Sequence, residues 1–190
     1  LWGLFSSCIN KVSGTFTTNS TIFSKVYFPR LAMPISTMIS GMINFLVQFA
    51  LFFIVMLFYV FTGQLSPNWA AMPLLVPILL QVGLLGCGII VSSVTTRYRD
   101  LMIVVTFGVQ LWMYATPVVY PLSMLGNTTL RTIIMLNPMT APMESFRAIF
   151  LGAGECSILM WCVSLIWTVI LLAVGISLFS KVEKTFVDTV

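Results

Sequence analysis

The chain has 190 residues, of which 59% are hydrophobic and 7% are charged. A water-soluble domain carries about a quarter charged residues to keep its surface wetted, so this composition excludes a soluble domain and makes lipid the natural solvent. The net charge of +4 comes from nine basic residues spread along the chain; they form no patch for nucleic acid and serve instead as markers of membrane topology.

The chain opens on Leu1-Trp2-Gly3-Leu4-Phe5, with no basic segment before it. This is not a signal peptide. Residues 1–12 read as the end of a span already under way, with the start of the natural chain missing, and residues 13–31 read as a polar, partly amphipathic connection. No charge occurs between Arg30 and Arg97, a stretch long enough for two crossings and a turn. The turn lies at Thr62-Gly63-Gln64-Leu65-Ser66-Pro67-Asn68-Trp69, which predicts spans at about 35–61 and 72–95. After Arg97-Tyr98-Arg99-Asp100 comes an apolar run at about 102–120, stopped by Pro117 and Pro121, and a last span at about 157–179 closes on Lys181-Val182-Glu183-Lys184. Residues 122–156 are broken by Asn127, Arg131, Asn137-Pro138, Pro142, Glu144, Arg147 and Glu155. Their apolar pieces, 130–136 and 140–151, are too short to cross a bilayer and suit re-entrant or interfacial helices.

Orientation follows from the basic residues. Lys11, Lys25, Arg30, Arg97, Arg99, Lys181 and Lys184 fall on one side of the alternating crossings, and only Arg131 and Arg147 fall on the other. The richer side is cytoplasmic. Residues 62–69 and 122–156 are then extracytoplasmic.

Several residues carry candidate chemistry. Lys25, Tyr27, Phe28, Pro29 and Arg30 form a basic and aromatic string before a Pro-opened helix; it suits a membrane anchor at the cytoplasmic interface or a docking element for a partner. Arg97, Arg99 and Asp100 make a tight cytoplasmic turn or a brace for that element. Gln110, Trp112, Tyr114, Thr116 and Tyr120 mix flat apolar faces with hydrogen-bonding groups, as the wall of a wet path does. The aromatic ones equally suit an interfacial belt. Asn44, Gln48 and Gln81 are polar residues in apolar spans and are expected to bond between helices, and Gly83, Gly86 and Gly88 to allow close helix packing. Glu144 and Arg147, at i and i+3, can pair on one helix face and fix the short helices. The four cysteines have no CxxC spacing and there is no histidine, so no metal site is expected.

Six strings occur in order: Lys25-Val26-Tyr27-Phe28-Pro29-Arg30, Arg97-Tyr98-Arg99-Asp100, Thr116-Pro117-Val118-Val119-Tyr120-Pro121, Asn137-Pro138-Met139-Thr140, Glu144-Ser145-Phe146-Arg147 and Val182-Glu183-Lys184-Thr185-Phe186-Val187-Asp188. Together they resemble the ABC-2 type permeases that export O-antigen and related polysaccharides or teichoic acids, over nearly the whole chain. The resemblance implies an all-α polytopic transmembrane bundle in the bacterial inner membrane, with short extracytoplasmic re-entrant helices at 122–156, Asn137, Pro138, Glu144 and Arg147 among them, that cap an export channel. It implies that a separate ATPase subunit docks near residues 19–31, coupled through Lys25, Tyr27, Phe28, Pro29, Arg30, Arg97, Arg99 and Asp100. It also implies that two permeases form the channel, that Gln110, Trp112, Tyr114, Thr116 and Tyr120 line it, and that the cargo is a lipid-linked polysaccharide. The chain itself would hold no cofactor, ATP and Mg belonging to the partner subunit.

The sequence has no phosphate-binding loop of the GxxxxGK[ST] kind. Its spans carry no carboxylate for a proton relay. Two other readings remain: an ABC-2 exporter of a drug or small lipid, and a membrane-embedded glycolipid-processing enzyme, for which Asp100 and Glu144 are the candidate carboxylates but lie on opposite sides. The topology is testable. On a cysteine-free background, Asn68→Cys should react with an impermeant maleimide from outside and Arg99→Cys only from inside; the reverse pattern would invert every assignment above.

Overall fold

The computed structural model describes residues 1–18, 32–64, 66–86, 101–126, 129–155 and 157–187. Every regular element among them is helical. They are α1 (Trp2–Thr18), α2 (Ala32–Phe61), a 3-10 turn (Trp69–Leu74) leading into α3 (Leu75–Gly86), α4 (Leu101–Tyr114), a second 3-10 turn (Leu122–Leu125), α5 (Thr129–Met135), α6 (Thr140–Leu151) and α7 (Ile158–Val187).

Two of these are long and apolar enough to cross a membrane, over Met38–Phe61 and Ile158–Ser177. Only 11% and 22% of these windows are buried within the chain. That distinguishes them from the core helices of a soluble protein, which hide most of their surface. Ile43, Val47, Leu51, Ile54 and Phe58 on α2, and Ile158, Leu159, Ile166 and Val169 on α7, are exposed apolar side chains that only lipid or another helix can cover favourably.

The centre of the bundle is α1, which packs on α2, α3 and α4, while α3 reaches on to α6 and α7. Leu4, Phe5, Cys8 and Ile9 of α1 recur at helical spacing and meet Phe45, Val82, Val109, Met139 and Met143 in one buried cluster. Lipid tails are as apolar as leucine, so such helices hold together by close fit and interhelical hydrogen bonds rather than by expelling water. Close fit is visible at Gly83, where an added Cβ would lie 3.1 Å from the Met38 methyl. The bonds are visible where Gln81 of α3 donates to Ser164 of α7 and where Thr106 of α4 donates to Asn10 of α1 at 3.2 Å. A second cluster joins α2 to α6 by rings: Phe52 meets Phe150 edge-on at 5.4 Å and Phe146 meets Phe150 at 4.6 Å. Beside them the Asn68 amide donates to the Ile149 carbonyl at 2.9 Å. The two segments expected outside, 62–69 and 122–156, are thus in contact.

Several boundaries differ from those expected. The first helix does not end near residue 12 but runs to Thr18, because polar residues such as Ser and Thr weaken a helix without breaking it. The element expected at 72–95 begins as a 3-10 turn containing Pro73 and becomes α-helical at Leu75; residues 87–95 lie outside the described segments. The run expected at 102–120 is helical only to Tyr114. Proline disfavours helix in the residue before it, so Pro117 turns the chain earlier than apolarity alone suggests. The last helix continues past Lys181 and Lys184 to Val187, since Lys and Glu are good helix formers and charge marks the edge of lipid rather than the end of a helix. Asn44 and Gln48 are exposed on α2, in contrast to Gln81, which makes the interhelical bond expected of it.

The ring cluster makes a stability prediction. Phe150 is fully buried and Phe58 is 65% exposed. Phe150→Ala should cost about 3–5 kcal/mol, as large-to-small core changes do, and Phe58→Ala within about 0.5 kcal/mol of nothing. Thermal unfolding of the purified permease in detergent would compare them, and equal losses would refute the packing described.

Candidate functional site

Three of the six strings meet at one place in the fold, although residues 116–121, 137–140 and 144–147 are well separated along the chain. The meeting point is α6. Gly152, at φ +64°, ends that helix in the left-handed conformation that glycine adopts without penalty. This lets residues 153–155 fold back along it.

Glu144 is 1% exposed and Arg147 is 16% exposed, and they are joined at 2.5 Å. A carboxylate so deeply buried is tolerable only when it is paired and its remaining lone pairs are filled. Both conditions are met. Oε1 of Glu144 also accepts from the Leu122 amide at 3.2 Å, and Oε2 accepts from the Glu155 amide at 3.1 Å. Arg147 in turn donates to the carbonyls of Pro117 at 3.1 Å, Val118 at 3.3 Å and Tyr120 at 3.4 Å. Its planar fork of five donors is what makes one side chain sufficient for this. The pair therefore fills backbone groups of two irregular segments that have no helix to satisfy them.

Asn137 makes the second junction. Its amide nitrogen donates to the Ala115 carbonyl at 3.1 Å and to the Thr116 hydroxyl at 2.9 Å, and its oxygen accepts from the Met139 amide at 3.1 Å. The end of α4 is thereby fastened to the start of α6. Thr140 donates to the Ile134 carbonyl at 2.6 Å, closing the end of α5. The Pro138 carbonyl accepts from Ser164 of α7, which also takes the Gln81 amide. Trp161 of α7 donates to Ser145 at 2.9 Å.

Between the end of α4 and α5 lies a cleft of about 550 Å³, lined by Trp112, Tyr114, Tyr120, Asn137 and Pro138 together with leucines and isoleucines of α5 and the segments flanking it. It unites residues expected as channel liners with residues expected in the re-entrant helices. Trp112 packs edge-on against Phe5 at 5.5 Å, so one side of its ring belongs to the bundle core. Tyr114 is 67% exposed, and its carbonyl accepts from the Tyr120 hydroxyl at 3.2 Å. Gln110 is exposed on α4, whereas Thr116 is fully buried. The Thr116 hydroxyl donates to the Trp112 carbonyl at 2.9 Å and accepts from Asn137, so it braces the turn rather than facing open space in this chain. Lys25, Tyr27, Phe28, Pro29, Arg30, Arg97, Arg99 and Asp100 lie outside the described residues.

Sequence reasoning anticipated the Glu144–Arg147 pair but not what it holds. It missed Ser164 and the joining of Arg131 to Glu155. A lone serine in an apolar helix was the available signal for the first. For the second, the opposite charges on the sparsely charged side were the only hint.

The site yields a mutational prediction. Arg147→Ala and Glu144→Ala should each cost about 3–5 kcal/mol, because each strands a buried charge. The double replacement should cost much less than their sum. Gly154→Ala should be comparably damaging, since a Cβ there would run into the Glu144 carbonyl and stand 2.6 Å from the Ala148 nitrogen. Unfolding in detergent reads all four, and additive losses for the pair would dissolve the argument.

Comparison with known proteins agrees with this architecture. Residues 1–151 match the ABC-2 type transporter family. An O-antigen export system permease protein RfbA of Myxococcus xanthus is 29% identical over 195 aligned residues, covering 100% of this chain and 72% of that protein. A protein of the same name from Klebsiella pneumoniae is 28% identical, covering 98% of this chain and 71% of its own length. With the match taking in α1 through α6 and the junction they build, the chain belongs to the ABC-2 type transporter family.

Proposed function

We propose that this chain is the membrane-spanning subunit of an exporter that passes a lipid-linked polysaccharide outward across the bacterial inner membrane, and that a separate subunit binds and hydrolyses the ATP. The observation that carries this reading is the similarity to O-antigen export permeases along essentially the whole chain. The aromatic cleft beside the outer helices supports it, because flat ring faces suit pyranose rings. Two copies of the chain would form the path, with the exposed side of α4, including Gln110 and Tyr114, turned toward it. The ATPase would dock on the cytoplasmic string Lys25, Tyr27, Phe28, Pro29 and Arg30, braced by Arg97, Arg99 and Asp100, and its closure would move the helices above. The cleft also has Leu125, Leu130, Ile133 and Leu136 in its wall, and this apolar share favours, as a second reading, an exporter of a small lipid.

The coupling string is the most direct test. If it were only an anchor, Arg30→Ala would lose one attraction to acidic lipid of about 1 kcal/mol. As a docking element its aromatic residues would sit in a desolvated pocket, where truncation costs 2 kcal/mol or more, about thirtyfold in affinity. Tyr27→Ala combined with Phe28→Ala should leave membrane insertion intact while co-purification of the ATPase and display of surface polysaccharide both collapse. Deletion of the gene with no loss of surface polysaccharide, but with a changed lipid profile, would instead favour the second reading.

A further inference from the structure

The interhelical bond expected of Asn44 is not made within this chain. Asn44 lies six residues into the apolar window of α2 that opens at Met38, about 9 Å along the helix at 1.5 Å per residue. It is exposed, and among the described residues its carboxamide has no hydrogen-bond partner. A primary amide left bare against hydrocarbon is costly. Its neighbours on the helix surface are ordered. Ser40, Asn44, Val47, Leu51 and Ile54 follow one another at steps of 4, 3, 4 and 3, the seven-residue rhythm of a helix-packing seam. At 3.6 residues per turn they fall within a strip roughly 80° wide. That strip points away from the bundle: Val47 is 69% exposed and Leu51 and Ile54 are 68% exposed. Gly41 and Phe45, on the far side of the helix, are the residues that pack on α1.

We propose that this face of α2 is a contact between copies, in which Asn44 bonds to Asn44 of a second copy of this chain. The carboxamide is what selects the occupant. It carries donors and an acceptor on one group, so two identical side chains facing each other across a two-fold axis satisfy each other with no further residue. Two copies in one membrane share one topology, which runs their α2 helices parallel and brings both Asn44 residues to the same depth. Val47, Leu51 and Ile54 then interlock above the amides, at the shallow left-handed crossing that a seven-residue seam prescribes. Lipid tails could cover the apolar part of the strip but offer the amide nothing. This contact is separate from the one that would enclose a path. The α2 helix meets the side of α1 that carries Gly3, Leu4, Ser7 and Cys8, whereas α4 meets Phe5 and Asn10. Those two sides of α1 lie roughly opposite each other at 3.6 residues per turn. The copy on α2 is therefore not the copy across the path, and the seam sets exporters side by side. Only that last distinction rests on the function proposed above; the seam itself rests on α2.

Cysteine cross-linking in membranes tests both. In the full-length permease made cysteine-free, Val47→Cys and Leu51→Cys should each form a disulfide-linked dimer on oxidation. Leu46→Cys, exposed but off the strip, should not. On dilution into phospholipid vesicles, Asn44→Ala should lower the lipid-to-protein ratio at which Leu51→Cys cross-linking is half lost by roughly three- to tenfold, the worth of interhelical polar bonds in a bilayer. Asn44→Gln, which keeps the amide, should recover part of that loss. No dimer at 47 or 51, equal dimer at 46, or an unchanged half-loss ratio in Asn44→Ala would overturn the seam. In a second arm, Gln110→Cys on α4 is bridged by a long bis-maleimide. A chain carrying both Leu51→Cys and Gln110→Cys should then give a ladder of trimers and tetramers. Dimers alone from that chain, with each single cysteine cross-linking by itself, would place both faces on one axis and overturn the side-by-side arrangement. Failure of Gln110→Cys alone would count against the path proposed above, while the result at 47 and 51 still decides the seam.

Discussion

The half of this fold built around α6 depends on one buried ion pair. Glu144 and Arg147 lie a single helical turn apart, and between them they fill two amides and three carbonyls in irregular backbone on either side of α6. Irregular backbone is hard to keep near lipid, where water is scarce and each unmet polar group costs several kcal/mol. A local pair of charges resolves that difficulty because both members come from one short helix and their attraction needs no distant partner. The charge neutralises internally and the spare bonding capacity points outward to the loops. An apolar pair of the same volume would pack as well but would leave all five backbone groups unmet.

The rest of the bundle uses neutral polar groups for the same purpose, at lower density. Gln81, Ser164 and the Pro138 carbonyl form a buried chain between α3, α7 and the start of α6. Asn10 and Thr106 join α1 to α4, and Trp161 and Ser145 join α7 to α6. Each such bond fixes how two apolar helices are rotated against each other, a choice that apolar contact alone leaves nearly free in lipid.

Much of this was legible in the sequence, for identifiable reasons. The two long apolar helices over Met38–Phe61 and Ile158–Ser177 were readable because hydropathy and charge report lipid directly, and the pairing of Glu144 with Arg147 followed from helical spacing. The end of α4 was misplaced because apolarity extends through Val118 and Val119 although the helix stops at Tyr114; what ends it is Pro117 and the Asn137 side chain, the second from a distant part of the chain. Thr116 was expected to line a channel by resemblance; within the single chain its hydroxyl is met by the Trp112 carbonyl and the Asn137 amide, contacts that spacing does not reveal. The pairing of Arg131 with Glu155 was no more than hinted at by opposite charges on the sparsely charged side, because no periodicity links residues 24 positions apart across a loop. Side-chain direction beyond a turn is a tertiary property, and sequence spacing does not contain it.

The string Asn137-Pro138-Met139-Thr140 shows what a short motif encodes in such a fold. Its four residues make contacts with different elements: Asn137 with the end of α4, Pro138 with α7, Met139 with the core cluster around α1, and Thr140 with the end of α5. None of these contacts is chemistry on a substrate. Each is positional, and together they place α5 and α6 relative to α4, which carries Gln110, Trp112 and Tyr114. A displacement of α4 would therefore be felt at Asn137 through the Ala115 carbonyl and the Thr116 hydroxyl, one residue from the Ser164 bond to α7 and three residues from the closed end of α5. Among the described residues, that junction links the end of α4 to the end of α5 and to α7 through hydrogen bonds.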